Sequence, residues 1–434
     1  MCLANNKGYR VLCLSGGNRK FTVKGKMEMK KVKSKLLKAS FMAMMIITGC
    51  RMPTQGENGT NTFSKKNFPP LTDSDTKITH SSKIVAANNK FGFKLFSDLL
   101  KTDKNKNIFI SPTSILFALS MTYNGANGDT KDAMAKALEL KDLSQDEVNK
   151  ESNALIRTLI NLDPQVRLDI ANSLWGRKGI DFAPDFIKNN ENYFKATVNS
   201  LDFNSTEASK TINNWVSENT QKKIEKIVPD TISAETILFL INAIYFKGTW
   251  TDKFDKTLTK ERPFTLTDGK QKNFQMMNRY DDFRYLKEDN FQAVSLPYGN
   301  ENLSMYVLLP DKDAKLEDFL KSLTAENIDK WVNQFSKNKG DVVLPRFKLE
   351  YEADLNDSLK TLGMETAFSD KADFKNMVTG SLKPFISNVK HKTFVEVNEE
   401  GTEAAAVTSV TVGATSVQIP KEPFKMIVDH PFFI

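Results

Sequence analysis

Residues 399–420, EEGTEAAAVTSVTVGATSVQIP, carry the chemistry of a substrate rather than that of a catalyst. Glu399, Glu400, Gly401, Thr402 and Glu403 form a polar opening, and Ala404, Ala405, Ala406 and Val407 follow as four small apolar residues. Between Gly401 and Val417 there is no proline, aromatic residue, lysine or arginine. Thr and Val favour a pleated, half-buried surface, and Ala and Gly add no bulk that would resist entry between existing strands. In a strand, Thr402, Ala404, Ala406, Thr408, Val410 and Val412 would share one face. Composition alone equally describes a flexible linker. The flanks argue for more: residues 392–397 alternate as a strand, and residues 426–434 (MIVDHPFFI) read as an apolar strand. A linker between two strands of one core is a loop on a rigid scaffold, where function concentrates.

Groups for conventional catalysis are scarce. The histidines are His80, His391 and His430, and the cysteines are Cys2, Cys13 and Cys50. There is no HExxH, CxxC or GxSxG, so metal and triad chemistry have almost no material. A surface hydrolase would need a Ser or Cys nucleophile beside a His, and no motif supplies one. The expectation is therefore no enzyme, no metal and no cofactor. With no cysteine beyond residue 50, the body has no disulfide. The formal charge of +8 is equally uninformative about partners. Residues 1–50 hold eleven Lys/Arg and one Glu; taking these from the totals of 61 and 53 leaves 50 basic and 52 acidic residues, a net of −2. Nothing there supports a nucleic-acid-binding body.

The elements that would position the loop are legible in outline. Residues 81–100 place Ile84, Phe91, Leu95 and Leu99 near helical spacing. Residues 107–114 (NIFISPTS) read as a strand leading into an apolar run to Tyr123. Residues 208–227 read as a helix with Ile212, Trp215 and Val216 facing in, and residues 236–250 (TILFLINAIYFKGTW) as a long strand with Asn242 in an apolar setting. A buried Asn needs partners. Residues 262–266 and 272–277 flank Asp268-Gly269, a strong hairpin signal. Residues 303–309 read as a further strand, and residues 342–349 (VVLPRFKL) alternate.

Glu399-Glu400-Gly401-Thr402-Glu403-Ala404-Ala405-Ala406 resembles the hinge motif of the serpins, Asp429-His430-Pro431-Phe432 their C-terminal signature, and NAIYFKGTW their central strand. The resemblance runs from about residue 81 to residue 434. It implies an α+β fold with a large central sheet, further sheets, surrounding helices and a mobile reactive-centre loop. It implies an inhibitor, monomeric, that traps a target serine protease as a covalent complex, with cysteine proteases as a second class. The alternative is a non-inhibitory binding protein on the same fold, which bulky or charged hinge residues would favour. By resemblance, Ser111, Ser114, Asn242 and His391 form a polar cluster beneath the sheet; as plain local chemistry, Ser111 and Ser114 read as helix-capping residues. Trp250 sits where the sheet opens, and Arg346 pairs with Glu399 as an exposed ion pair. The family's hinge-to-bond spacing puts the scissile bond between Thr415 and Ser416, or between Val417 and Gln418 if the longer loop shifts it. With no Lys or Arg before either bond, elastase-like or subtilisin-like targets are expected. The family continues past the equivalent of Ile434 into one more buried strand; either this sequence is a fragment or the fold lacks that strand.

Ahead of this body, five lysines from Lys30 to Lys38 precede an apolar run that ends in Ile47-Thr48-Gly49-Cys50. A charged region, a short apolar core and a small-residue site make an export signal, and the last four residues resemble a bacterial lipobox with Cys50 lipidated. The alternative is a plain signal peptide with an incidental cysteine. Residues 1–26 look unlike a signal, so Met27 or Met29 is a candidate start. The expected organisation is a leader over 1–50, a disordered tether over 51–77 and a serpin domain over 78–434. The expected location is the cell envelope, periplasmic or surface-exposed, with Cys50 as the membrane anchor.

Overall fold

The computed structural model describes residues 2–4, 69–72, 75–103, 106–402 and 422–434. Cys50, Met27 and Met29, the hinge residues Glu403, Ala404, Ala405 and Ala406, and the candidate bonds at Thr415, Ser416, Val417 and Gln418 lie outside these residues.

Two sheets organise the chain. The first holds six strands: β2 (Val166–Arg177), β3 (Thr197–Leu201), β4 (Leu238–Thr249), β10 (Phe347–Asp354), β11 (Lys390–Asn398) and β12 (Gly401–Thr402). Their order is β10-β11-β12-β4-β2-β3. The second holds β1 (Cys2–Ala4), β5 (Lys260–Thr265), β6 (Gln271–Lys287), β7 (Phe291–Tyr298), β8 (Leu303–Pro310), β9 (Ser336–Pro345) and β13 (Phe424–Ile427). It runs β1-β8-β7-β6-β9-β13, with β5 paired to β6. The edge strand β1, antiparallel to β8, is not anticipated by a reading of residues 1–50 as leader.

Behind the six-stranded sheet lie α1 (Lys83–Thr102), α2 (Pro112–Tyr123), α3 (Gly128–Ala137), α4 (Gln145–Asn161) and α5 (Pro184–Phe194), sharing the main core with Ile170, Val395 and Val397. In front, α6 (Thr206–Asn219) sets Ile212 and Val216 against Trp175 of β2 and Ile241 of β4. The amphipathic reading of residues 81–100 matches α1, and Ile84, Phe91, Leu95 and Leu99 are all buried. The Asp268-Gly269 hairpin forms with Gly269 at φ +80°, a turn conformation that suits glycine.

Four expectations shift, each for a physical reason. The helix expected over 208–227 stops at Asn219. There the Thr220 hydroxyl donates to the Val216 carbonyl at 2.8 Å beside the Thr220 N–H, and accepts from the Ile224 N–H at 3.1 Å, taking the donor that a continuing helix would give to the Thr220 carbonyl. The alternating run over 342–349 is two strands in two sheets, because the chain changes sheet at Arg346. Alternation reports one buried face and is blind to which sheet supplies it. Residues 107–111 form no ladder among the described residues. The Ser111 N–H goes to a histidine ring, and the Phe109 carbonyl to a threonine hydroxyl. The apolar C-terminal run is a strand only over Phe424–Ile427, with Phe433 bridging to Leu308 further on. In addition, the end of the stretch read as a tether lies on the body: Arg157 donates to the Pro69 and Pro70 carbonyls and pairs with Asp75 at 2.9 Å.

Candidate functional site

β11 and β4 flank β12 in the sheet order, and no ladder joins them directly among the described residues. The described part of β12 is Gly401–Thr402. Thr402 pairs with Val397 on one side and Gly248 on the other; Gly401 pairs with Asn398 and Thr249. β12 is thus a peg at the head of the sheet, joined to β11 by the turn through Glu399 and Glu400.

The sequence folds tightly here because its glycines permit it. Gly401 has φ +144°, and a Cβ on it would lie 2.1 Å from the Gly248 carbonyl oxygen. A Cβ on Gly248 would lie 2.7 Å from the Tyr298 ring. That ring stacks on Trp250 with centroids 4.4 Å apart, and its hydroxyl shares a 2.7 Å hydrogen bond with Thr402 Oγ1. Thr402 is 4% exposed, so this hinge residue faces the core.

The turn is held from the segment that leads out of β4. Trp250 Nε1 donates to the Asn398 carbonyl at 2.9 Å. The Trp250 and Phe254 backbone N–H groups donate to the Glu400 and Glu399 carbonyls at 2.9 and 3.0 Å. Lys253 and Lys256 reach Glu400 at 2.6 and 2.9 Å and hold its carboxyl below the usual carboxylate range. Arg346 Nε lies 3.5 Å from Glu399, and Thr259 Oγ1 donates to the same carboxylate at 2.7 Å. This ion pair differs from the exposed one expected: Glu399 is 3% exposed and the Arg346 side chain 49%. A buried carboxylate left without its cation loses more than a surface one. A cleft of about 290 Å³ opens beside the turn, lined by Lys256, Thr259, Gln275, Arg346, Asn398, Glu399 and Glu400.

A second group sits lower, beneath the sheet. Ser111 caps α2 by accepting from the Ser114 N–H at 3.4 Å. Its own N–H donates to His391 Nε2 on β11 at 3.0 Å. Ser114 Oγ donates to Asn242 on β4. Asn242 Nδ2 donates to Asn172 on β2 at 2.6 Å, and Asn172 donates to the Phe194 carbonyl at 2.7 Å. Capping and cluster membership therefore coexist in the same two serines. Trp250 and Arg346 belong to the head of the sheet and are not part of this lower group.

Sequence reasoning missed Asn172, Tyr298, Lys253, Lys256 and Thr259. Asn172 had a findable signal, a lone amide in an apolar strand like Asn242; the others are brought in by topology. Among the described residues no group of three His, Cys, Asp or Glu is placed to hold a metal.

Comparison with known proteins gives the same fold. A family model described as Serpin (serine protease inhibitor) matches residues 86–434. The chain is 40% identical to human Serpin B8 over 357 residues, covering 80% of this chain and 94% of the relative. It is 39% identical to the leukocyte elastase inhibitor of Bos taurus over 361 residues, covering 81% and 94%. Among solved structures, the thermophilic serpin tengpin in its native state aligns with a TM-score of 0.73 at 32% identity, covering 84% of this chain and 91% of that one. Thyroxine-binding globulin complexed with thyroxine aligns with a TM-score of 0.72 at 26% identity, covering 81% and 94%.

His391 accepts at Nε2, so that nitrogen must be unprotonated; burial pushes its pKa down from 6.5 to about 4. The unfolded chain takes up this proton near pH 6.5, and the folded one only near pH 4. Stability from this group is complete above about pH 6.5 and falls as the pH drops towards 4, by roughly 3 kcal/mol in total. Between pH 7.5 and 5, denaturant unfolding of the wild type should lose about 2 kcal/mol more than that of His391→Gln, whose amide oxygen can still accept from Ser111. His391→Ala should cost about 1–3 kcal/mol already at pH 7, through the orphaned N–H, and promote sheet opening and polymerisation. Equal pH slopes in wild type and His391→Gln would remove the histidine from this account.

Proposed function

The chain belongs to the serpin family, and on that premise we propose that it is a single-use inhibitor of serine proteases that traps the acyl-enzyme by loop insertion. It is bait for a protease rather than an enzyme. The observation that carries this reading is the peg: two buried residues hold the head of β11 to β4, and the sequence that follows them is small enough to continue between the same strands.

In this reaction the target's serine attacks the carbonyl carbon of Thr415. The bond to the Ser416 nitrogen breaks, the freed amine takes the proton, and an ester joins loop to protease. The cut end then follows Gly401 and Thr402 in between β11 and β4. About fifteen residues at ~3.3 Å each carry the tethered protease roughly 50 Å. Insertion competes with hydrolysis of the ester, and the faster process decides between inhibitor and substrate. Targets are elastase-like or subtilisin-like serine proteases, with cysteine proteases a further class. The likeness to thyroxine-binding globulin supports a second reading, a non-inhibitory binder on the same fold. A covalent adduct surviving denaturing electrophoresis separates the two.

Three outcomes test the proposal. Mass spectrometry after incubation with an elastase-like protease should place the cut between Thr415 and Ser416, or between Val417 and Gln418; cuts confined to other bonds would refute the placement. Thr402→Arg puts a long cation where a hydroxyl meets Tyr298 in the core, desolvated and without a partner. In the uncut mutant the Arg should leave the peg for solvent, so insertion must then bury it, and a few kcal/mol on that barrier slows insertion by orders of magnitude, since ~1.4 kcal/mol is tenfold. The mutant should be cut at the same bond and release active protease, whereas Glu403→Arg does much less harm. A ratio of inhibitor consumed to protease inactivated that stays at the wild-type value in Thr402→Arg would overturn insertion through this hinge. Finally, Cys50 carries the lipid that tethers the exported inhibitor at the cell envelope, and the cleavage that exposes it removes β1 from the edge of β8. Cys50→Ser should leave the membrane fraction in a bacterial host, and a mutant that still sediments with membranes would contradict the anchor.

A further inference from the structure

On the front of the six-stranded sheet, a contact among the described residues crosses from one side of the peg to the other. α6 and the segment after it belong to the β2–β4 side: Ile212, Val216, Ile224 and Val228 pack with Trp175 and Ile241. At the end of α6, Gln221 and Lys222 both adopt left-handed backbone, φ +51° and +61°, a conformation that is uncommon outside glycine and persists only where its surroundings fix it. This double turn brings Lys223 Nζ to 4.8 Å from the centre of the Phe394 ring, on β11. A second cation, Lys348, lies 5.3 Å from the same ring. Lys348 sits on β10, whose ladder with β11 keeps it on the same side as Phe394. Of the two cations on the ring, only Lys223 spans the two sides.

The register fixes where the crossing lies. Val397 faces Thr402 and Asn398 faces Gly401. A strand continuing that register would set residue 405 opposite Phe394, three residues beyond the peg. We infer that Lys223, seated on Phe394, is a latch that sets the rate of strand entry between β4 and β11 at its first steps. The inference rests on the insertion reading above and adds a rate-setting residue to it. The lysine touches no reacting atom; it acts by fastening the strap after α6 across the path of the strand.

The test uses the full chain and a synthetic peptide of residues 403–412, EAAAVTSVTV, as the entering strand that continues from the peg, with uptake followed by native-gel mobility and by the rise in unfolding temperature. A cation seated on an aromatic face contributes enough that Lys223→Met should take up the peptide roughly three- to tenfold faster than wild type. Lys223→Arg, which keeps a cation on the ring, should stay within about twofold of wild type. Lys348→Met should leave the rate unchanged, because it removes a cation that spans nothing. An unchanged rate in Lys223→Met overturns the latch, as does an equal acceleration in Lys348→Met, and as does a failure of every variant to take up peptide. Adduct formation by the wild type with an elastase-like protease is scored separately. Its absence sinks the inhibitor reading while the uptake ratio still reports on Lys223; an adduct with an unchanged ratio sinks the latch alone.

Discussion

The structure depends on how β12 is fitted between β4 and β11, which no direct ladder joins among the described residues. Strand backbone carries a donor and an acceptor at every residue, and buried ones need partners. Here the described pairing is confined to the two residues of β12. The rest of the head follows from fitting that peg. Glycine is required at 401 by its backbone angle and by the nearby Gly248 carbonyl, and at 248 by the Tyr298 ring. Tyr298 in turn gives the Thr402 hydroxyl its partner and Trp250 its stacking surface. Lys253, Lys256, Thr259 and Arg346 then neutralise or hydrogen-bond the two carboxylates of the turn.

Beneath the sheet the two sides are tied a second time, by one helix end. Ser111 and Ser114 belong to the first turn of α2; one reaches His391 on β11 and the other Asn242 on β4. A helix N-terminus has backbone donors to spare, which suits it to a neutral, accepting histidine. Protonation would turn Nε2 from acceptor to donor against the Ser111 N–H, so burial and hydrogen bonding both favour the same neutral form. The Asn172 amide extends the tie to β2 and the Phe194 carbonyl, leaving Asn242 with partners on both faces of its amide.

How much of this the sequence disclosed depends on the range of each interaction. Local periodicity located α1, the 238–249 strand and the Asp268-Gly269 hairpin, because their patterns lie within one element. The hinge and the C-terminal signature identified the family through contiguous residues. What stayed hidden was mostly set by topology. Nothing near Tyr298 in SLPYGN shows that it meets Thr402, 104 residues on. Alternation through Arg346 conceals the change of sheet, since both sheets bury one face. The Thr220 side chain ends α6 while apolar residues continue at helical spacing beyond it. The Arg346–Glu399 pair was legible as a pair but not in its burial, which depends on the turn folding back under Phe254.

The ties are individually weak, and the proposed reaction requires that. A hydroxyl pair at the peg, a charge-assisted contact or two at the turn, neutral hydrogen bonds at α2 and one cation on a ring each contribute about 0.5–3 kcal/mol. In the proposed reaction they act together against entry of a strand between the two sides. Apart from the backbone pairing of the peg and its turn, these contacts involve side chains, so opening one need not disrupt a ladder. A strand that enters makes about one backbone hydrogen bond per residue at roughly 0.5–1.5 kcal/mol net. Over ten or more residues that exceeds any single tie several-fold. An uncut loop is held at both ends and gains only what its slack allows, whereas a cut one gains the whole ladder. Under the proposed reaction, ties of this size separate the two cases, because a cleaved loop gains a ladder that outweighs them and an uncut one does not.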